Sequence, residues 1–584
     1  MKIFLSRLNF QLKKLTGTFL KVLALSILFA ALCTGCASPG GSGGGDSILV
    51  IPGEDTPIDG LSSVDFASAM CVGWNLGNTF DSAEYGNKNN KGNNYETAWG
   101  MPKTTKAMIN RIAAKGFKTI RIPVSWHNHI TSETNLTIDP AWLSRVKEVV
   151  DWAREYKMFV IINIHHDNLT SEQMSSTYGF SVNTDTDQQN ASKNYIQKIW
   201  TQVANYFKDY DNHLIFELLN EPRNIDGPNA GFGDQPNLST LNGIISQYNQ
   251  TALNAIRATG GNNENRFVMA PYYAASPWKS SGWTIPSDNN ASDKILISVH
   301  AYDPYEFAMG TMSDTTFAEN EEGSQLGYLF DELKTKWVNH GRGVVMGEAS
   351  CTDKNNLSDR LAWFNSYIPK AKAINCPVIL WDNMQTATTS PADKDVPERH
   401  GYLNRNTLTW IFPTLVNAMI SKAGGVVDCY STEGENGNEN GGENSSGTPI
   451  VVWTGSQDLG HWKGDNAITL ASSLFASATD SSYLRLTISK GAECNALVSG
   501  NPCSNNYSSI HPITDWDNGN ITFTTDTANA TVNSDKQLEV TNIIPANGTT
   551  TVNISPDSTS WNAIKSNGLI IYGHKVTITN IELM

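Results

Sequence analysis

Eight short apolar runs recur within residues 55–428 of this 584-residue chain, at 72–76, 119–123, 159–164, 214–219, 267–270, 295–299, 344–347 and 378–381. Runs this short are predicted to be strands buried on both faces, and the amphipathic segments between them supply the crossovers that parallel strands need. In 140–156, Trp142, Val146, Val149, Val150 and Ala153 recur at helical spacing, as do Ile196, Trp200, Val203 and Phe207 in 191–207. Eight strands alternating with helices predict an α/β fold, the (β/α)8 TIM barrel. A doubly wound open sheet is the competing architecture, but no glycine-rich phosphate loop follows any of the runs.

The remaining residues divide by composition. Residues 1–36 carry Lys2, Arg7, Lys13, Lys14 and Lys21, then an apolar run over 22–32 and small residues up to Cys36, which is the order of a signal peptide. Leu32-Cys33-Thr34-Gly35-Cys36 is similar to a bacterial lipoprotein signal with Cys36 as the lipidated residue, so an exported chain, anchored at the cell surface or released, is expected. Residues 37–54 read as a flexible tether, with Gly and Ser concentrated in 38–47. Residues 429–448 read as an acidic linker, since 431–448 contain only Ser, Thr, Gly, Asn and Glu and cannot bury apolar surface.

In 449–584, alternating runs such as Leu484-Arg485-Leu486-Thr487-Ile488 and Val576-Thr577-Ile578 predict an antiparallel β-sandwich. Its place behind a polar spacer and its Trp453, Trp462, Trp516 and Trp561 resemble a carbohydrate-binding module, with Trp516 the expected exposed ring. The competing reading is a structural appendage with core tryptophans. A net charge of −15, from 42 basic and 57 acidic residues, excludes nucleic acid as a partner. If Cys33 leaves with the signal and Cys36 carries lipid, six cysteines remain; Cys494 and Cys503 are placed for a local bridge, and none has zinc-ligand spacing.

Reactive side chains of such barrels sit where strands end. The polar residues there are Asn75 and Asn78; Arg121; His165, His166 and Asp167; Asn220 and Glu221; His300 and Tyr302; and Glu348, with Trp74 and Trp381 among them. Two carboxylates on separate strand ends are what glycoside hydrolysis requires, one to protonate the departing oxygen and one to attack or to activate water. Glu221 and Glu348 are that pair, because each directly follows an apolar run. A separation of about 5 Å gives retention, and roughly 6.5–9.5 Å gives inversion.

Five ordered motifs over about residues 60–424 carry a resemblance: Gly73-Trp74-Asn75-Leu76-Gly77-Asn78-Thr79, Arg121-Ile122-Pro123, Asn220-Glu221-Pro222, His300-Ala301-Tyr302 and Gly347-Glu348. Together they resemble glycoside hydrolase family 5, most of all its bacterial endoglucanase and xyloglucanase branch. The resemblance implies an endo-acting retaining hydrolase of β-1,4-linked plant polysaccharide, monomeric and without metal or cofactor. Cellulose, mixed-linkage glucan or xyloglucan would be the substrate, with mannan or xylan as alternatives. Glu221 would be the acid/base, with a raised pKa and Asn220 beside it for the sugar 2-hydroxyl. Glu348 would be the nucleophile, kept anionic by Arg121 with Tyr302 as a donor.

His165, His300 and Asn78 would line the sugar site, and Trp381 would stack on a pyranose face. Strand alternation places Asn163 with His165 and turns His166 to the other face, as a supporting residue. Trp74 and His127 are weaker lining residues, and Trp126 and Trp278 could belong to core or cleft. Two other classes compete: a metal-dependent hydrolase using His165, His166, Asp167, His300 and Glu348, and a non-catalytic glycan-binding surface lipoprotein.

Overall fold

A computed structural model describes residues 49–50, 54–85, 95–227, 230–289, 291–310, 313–387, 398–429 and 431–432, then 450–459, 467–470, 472–475, 478–479, 482–491, 508–514, 520–544 and 549–584. The signal peptide, Cys36, nearly all of the tether and linker, Cys494, Cys503, Trp462 and Trp516 lie outside the described residues. The chain forms two compact units that divide between Gly437 and Asn438, with Phe412–Thr414 counted in the second.

The first unit is a closed parallel barrel of β1 (Val72–Leu76), β2 (Thr119–Ile122), β3 (Phe159–Asn163), β4 (Leu214–Glu217), β5 (Val268–Pro271), β6 (Ile295–His300), β7 (Val344–Ala349) and β8 (Val378–Asp382), each hydrogen-bonded to its neighbours in chain order. β8 closes on β1 with Val378 opposite Val72 and Asp382 opposite Leu76. Every residue of these strands is buried, as double-sided burial predicts. Alternation sends Phe159, Ile161, Ile215, Met269, Leu296, Val345 and Ile379 into one apolar cluster at the barrel's base. Helix α1 (Ser63–Ala69) closes that end, its Phe66 ring stacked 3.6 Å from the Phe267 centroid.

The jacket consists of α2 (Lys106–Lys115), α3 (Pro140–Glu155), α4 (Thr186–Tyr206), α5 (Leu238–Arg257), α6 (Glu322–Lys336), α7 (Leu357–Lys372) and α8 (Pro413–Ala423). Helix α3 starts where the sequence expects it, with Asp139 capping Ala141 and Pro140 in the first turn. Helix α4 starts at Thr186, five residues before its apolar stripe, because Asp185 accepts from the backbone of Gln188 and the first turn is polar. Between β5 and β6 the described residues form only 3-10 turns, so the expected alternation of strand and helix is broken at that one connection.

The second unit holds two five-stranded antiparallel sheets, as the alternating runs predict. One has the order Ile450–Asp458, Val576–Leu583, Leu484–Lys490, Thr549–Pro556, Phe523–Thr524; the other runs Ile468–Leu470, Leu569–His574, Ser509–Ile513, Leu538–Glu539, Thr531–Val532. A helix over Ser558–Asn567 was not expected, and it buries Trp561 completely in the core, which Trp453 also packs against. No helix among the described residues is long and apolar enough to cross a membrane.

Candidate active site

Alternation in β4 turns Phe216 outward onto Trp200 of α4 and Glu217 inward, where a carboxylate needs a partner. That partner is Arg121 of β2, which has no exposed surface: its Nε donates to Glu217 Oε2 at 2.8 Å, Nη1 to Glu348 Oε1 at 2.8 Å and to Asn75 Oδ1 at 2.9 Å, and Nη2 to Asn220 Oδ1 at 2.7 Å. One guanidinium thereby ties the ends of β1, β2, β4 and β7 together. Sequence reasoning missed Glu217; a lone charge inside the apolar run of β4 was the available signal.

Glu217 also accepts from Asn163 at 2.9 Å and from Ser298 at 2.6 Å. Burial pushes its carboxyl up, but Arg121, His300 and Ser298 outweigh that and hold it at about 2. Because Asn163 Oδ1 accepts from the Val124 backbone, its amide donates both to Glu217 and to His165 Nδ1, at 3.0 Å. Asn163 and His165 thus share a face as alternation predicts. Burial keeps the His165 imidazole neutral, so its proton sits on Nε2, on a ring that lines the cleft.

One carboxylate oxygen of Glu221 and one of Glu348 lie within 4.8 Å of each other and of a ring nitrogen of His300. That closeness falls on the side of covalent attack rather than of the wider carboxylate spacing that inversion needs. Tyr302 donates to Glu348 Oε2 at 2.9 Å, and His300 Nδ1 lies 2.9 Å from Glu221 Oε1. Burial pushes the His300 imidazole down, but Glu348, Glu217 and Glu221 together raise it to about 9. Burial likewise pushes Glu221 up, yet the bond to His300, its charge, and those of Arg223 and His166 hold the carboxyl below its ordinary range. The expected raised pKa of Glu221 is therefore corrected: the carboxyl is held below its ordinary range because the imidazole bonded to it is itself raised by the three carboxylates around it.

The cleft above these groups has a volume of about 770 Å³ and is lined by Asn78, His165, Asn220, His300, Tyr302 and Trp381 among others. Trp381 lies parallel to the His165 ring, 6.1 Å between centroids. Gly77 packs against it so closely that a Cβ there would come within 2.8 Å of the indole, which explains a glycine in the first motif. Gly347 plays the same part beside His300, 2.9 Å from where its Cβ would be.

Other expectations change. His166 lines the cleft rather than supporting it from behind. Trp74 is fully buried against Phe117 and Trp410, because Asn75 takes the inward position in β1. Trp126 is buried, with its indole donating to Asn163 O at 2.8 Å, and His127 is buried against Asp167, 3.2 Å away. Trp278 instead stands exposed on the cleft wall. Asp167 accepts from Trp126, His127 and Tyr195, so it is not gathered with His165 and His166 as the metal reading required.

A family model described as cellulase (glycosyl hydrolase family 5) matches residues 82–387. The cellulase/esterase CelE of Acetivibrio thermocellus is 35% identical over 418 residues, covering 71% of this chain and 47% of its own length, so this chain spans about half of that relative. Endoglucanase B of Clostridium cellulovorans is 35% identical over 384 residues, 65% of this chain and 80% of that protein. A solved family 5 lichenase from Caldicellulosiruptor sp. F32, in complex with cellotetraose, is 38% identical with a TM-score of 0.57, covering 64% of this chain and 99% of its own.

Proposed function

Because this chain belongs to glycosyl hydrolase family 5, we propose that it is an exported endo-β-1,4-glucanase that cuts within glucan chains by double displacement, with Glu348 as nucleophile and Glu221 as acid/base. The observation that carries the reading is the approach of the two carboxylates to within 4.8 Å. Glu348 attacks the anomeric carbon while Glu221 gives a proton to the departing oxygen; water, deprotonated by Glu221, then releases the sugar. The proton comes from the Glu221–His300 pair, across the 2.9 Å hydrogen bond.

Arg121 and Tyr302 hold Glu348 in place for attack by donating to its two oxygens. Asn220, fixed by Arg121, and His165, through Nε2–H, are the donors for sugar hydroxyls, Asn78 lines the glycone side, and Trp381 is the platform for the pyranose face. The names endoglucanase and lichenase among the similar proteins favour cellulose and mixed-linkage glucan over mannan or xylan. Product analysis on soluble cellulose derivative, mixed-linkage glucan, xyloglucan, xylan and mannan tests this, and release of α-configured product first from any of them would refute double displacement.

The same reading makes the enzyme a monomer tethered to a membrane through lipidated Cys36, with a C-terminal module that adsorbs to polymer. Its supports are the signal-like residues and the sandwich fold behind a polar spacer. Loss of detergent partitioning in Cys36→Ser tests the anchor, and light scattering tests the monomer.

A further inference from the structure

Two buried charged residues take no part in the reaction described above. Asp382 ends β8 directly after Trp381 and has no exposed surface, and Arg405, which follows the short strand Leu403–Asn404, is only 3% exposed. A buried charge is costly unless its donors and acceptors find partners. Arg405 Nε donates to Asp382 Oδ1 at 3.0 Å, Nη2 to the same oxygen and to the Asp382 carbonyl, each at 2.6 Å, and Nη1 to the Gly77 carbonyl at 2.8 Å and to Thr79 Oγ1 at 2.9 Å. Every N–H of the guanidinium is thereby used. The second oxygen of Asp382 accepts from the backbone of Tyr402 at 2.7 Å and of Leu403 at 3.2 Å. Burial pushes this carboxyl up, and the donors gathered on it oppose that.

The segments that this clamp grips are the ones that border the Trp381 ring. Gly77 donates its own N–H to the Asp382 carbonyl at 3.1 Å, so the end of β1 and Arg405 meet on one oxygen. The indole lies on the Gly77 backbone, where a Cβ would come within 2.8 Å of it. Its floor is therefore a residue whose carbonyl Arg405 holds, and its root in the strand precedes a residue whose carboxylate Arg405 holds.

We propose that Arg405 is a positioning residue for the sugar platform: by closing the end of β8 onto the end of β1 through Asp382, Gly77 and Thr79, it fixes the plane of the Trp381 indole for a pyranose face. A ring already in place gives its full contact to the sugar, whereas a ring that must be ordered on binding returns part of that gain as lost entropy. Lysine carries the same charge, but a single ammonium cannot span acceptors set around a planar fork. Arg405 touches no substrate and acts through Trp381. The inference rests on Trp381 being the platform.

Arg266 supplies the control. It is fully buried at the opposite end of the barrel, and its guanidinium is likewise saturated, by Asn263 Oδ1 and the carbonyls of Phe207, Tyr210, Asp211 and Leu214. Arg405→Lys should lower kcat/KM for cellohexaose at least about tenfold in the otherwise unchanged enzyme and less than about threefold in Trp381→Ala, the non-additivity of a residue that acts through another. Arg266→Lys should lower the melting temperature comparably yet keep kcat/KM within about twofold of wild type. Thr79→Val removes one acceptor of the clamp and makes the same comparison if Arg405→Lys does not fold, with a loss of about threefold that disappears in Trp381→Ala. Equal losses in the two backgrounds, no loss in either clamp variant, or an equal kinetic loss in Arg266→Lys would overturn the proposal and leave the platform standing. Full activity of Trp381→Ala by itself would overturn the platform and the proposal together.

Discussion

His300 Nδ1 lies 2.9 Å from Glu221 Oε1 and 3.7 Å from Glu348 Oε1, so a single imidazole bridges the two carboxylates proposed to do the chemistry. Although buried, it is raised from 6.5 to about 9 because Glu348, Glu217 and Glu221 surround it. A group raised on folding stabilises the fold fully below its unfolded value and loses that contribution as pH climbs through the folded one. Wild type should therefore lose stability between about pH 6.5 and 9 in a way that His300→Gln does not. Melting temperatures across that window check this; a gap between the two proteins that is constant with pH would rule out a protonated His300.

Glu348→Ala should reduce glucan turnover roughly 10⁴-fold, since it removes the nucleophile. Added azide should restore turnover and yield an α-glycosyl azide, identified by NMR. Near wild-type hydrolysis without azide would end the assignment.

Glu221→Ala should be most damaging for poor leaving groups. Hydrolysis of polymer should fall by three orders of magnitude or so, while β-cellobiosyl fluoride still forms the covalent intermediate. With azide, the product should be the β-glycosyl azide, opposite in configuration to that from Glu348→Ala. The same anomer from both variants would contradict the two roles.

Arg121→Met would leave Glu217 buried among Asn163, Ser298 and His300 without its main counter-charge. Breaking such a pair costs about 3–5 kcal/mol. Urea denaturation should show that loss, and Glu217→Gln added to Arg121→Met should recover part of it. Strict additivity of the two changes would show that the pair is not energetically coupled.

Removing residues 449–584 should impair action on insoluble cellulose far more than on soluble glucan, if the sandwich concentrates the enzyme on polymer. Equal loss on both would assign it a structural part.

Much of this was legible from local pattern. Short apolar runs and helical stripes need only nearest neighbours along the chain, and all eight barrel strands fall within a residue or two of the runs. Glu221 and Glu348 were legible because they follow β4 and end β7. Trp74 could also have been placed: once Asn75 faces inward to meet Arg121, its neighbour must face the jacket. Trp278, Phe232 and Arg223 could not, because they stand on loops whose paths are set by contacts such as Tyr273 with Gly231.

The amino-acid order by itself determined a closed barrel with a ring of polar residues at one rim, and the family motifs that ring carries. Only the tertiary structure decided how near the two carboxylates stand, that Glu217 joins them beneath, and that three carboxylates surround His300 and raise it. The reason is that strand periodicity is a property of adjacent residues, whereas carboxylate spacing and proton position depend on barrel closure and on the summed field of charges from β2, β4, β6 and β7, which meet only when the barrel shuts.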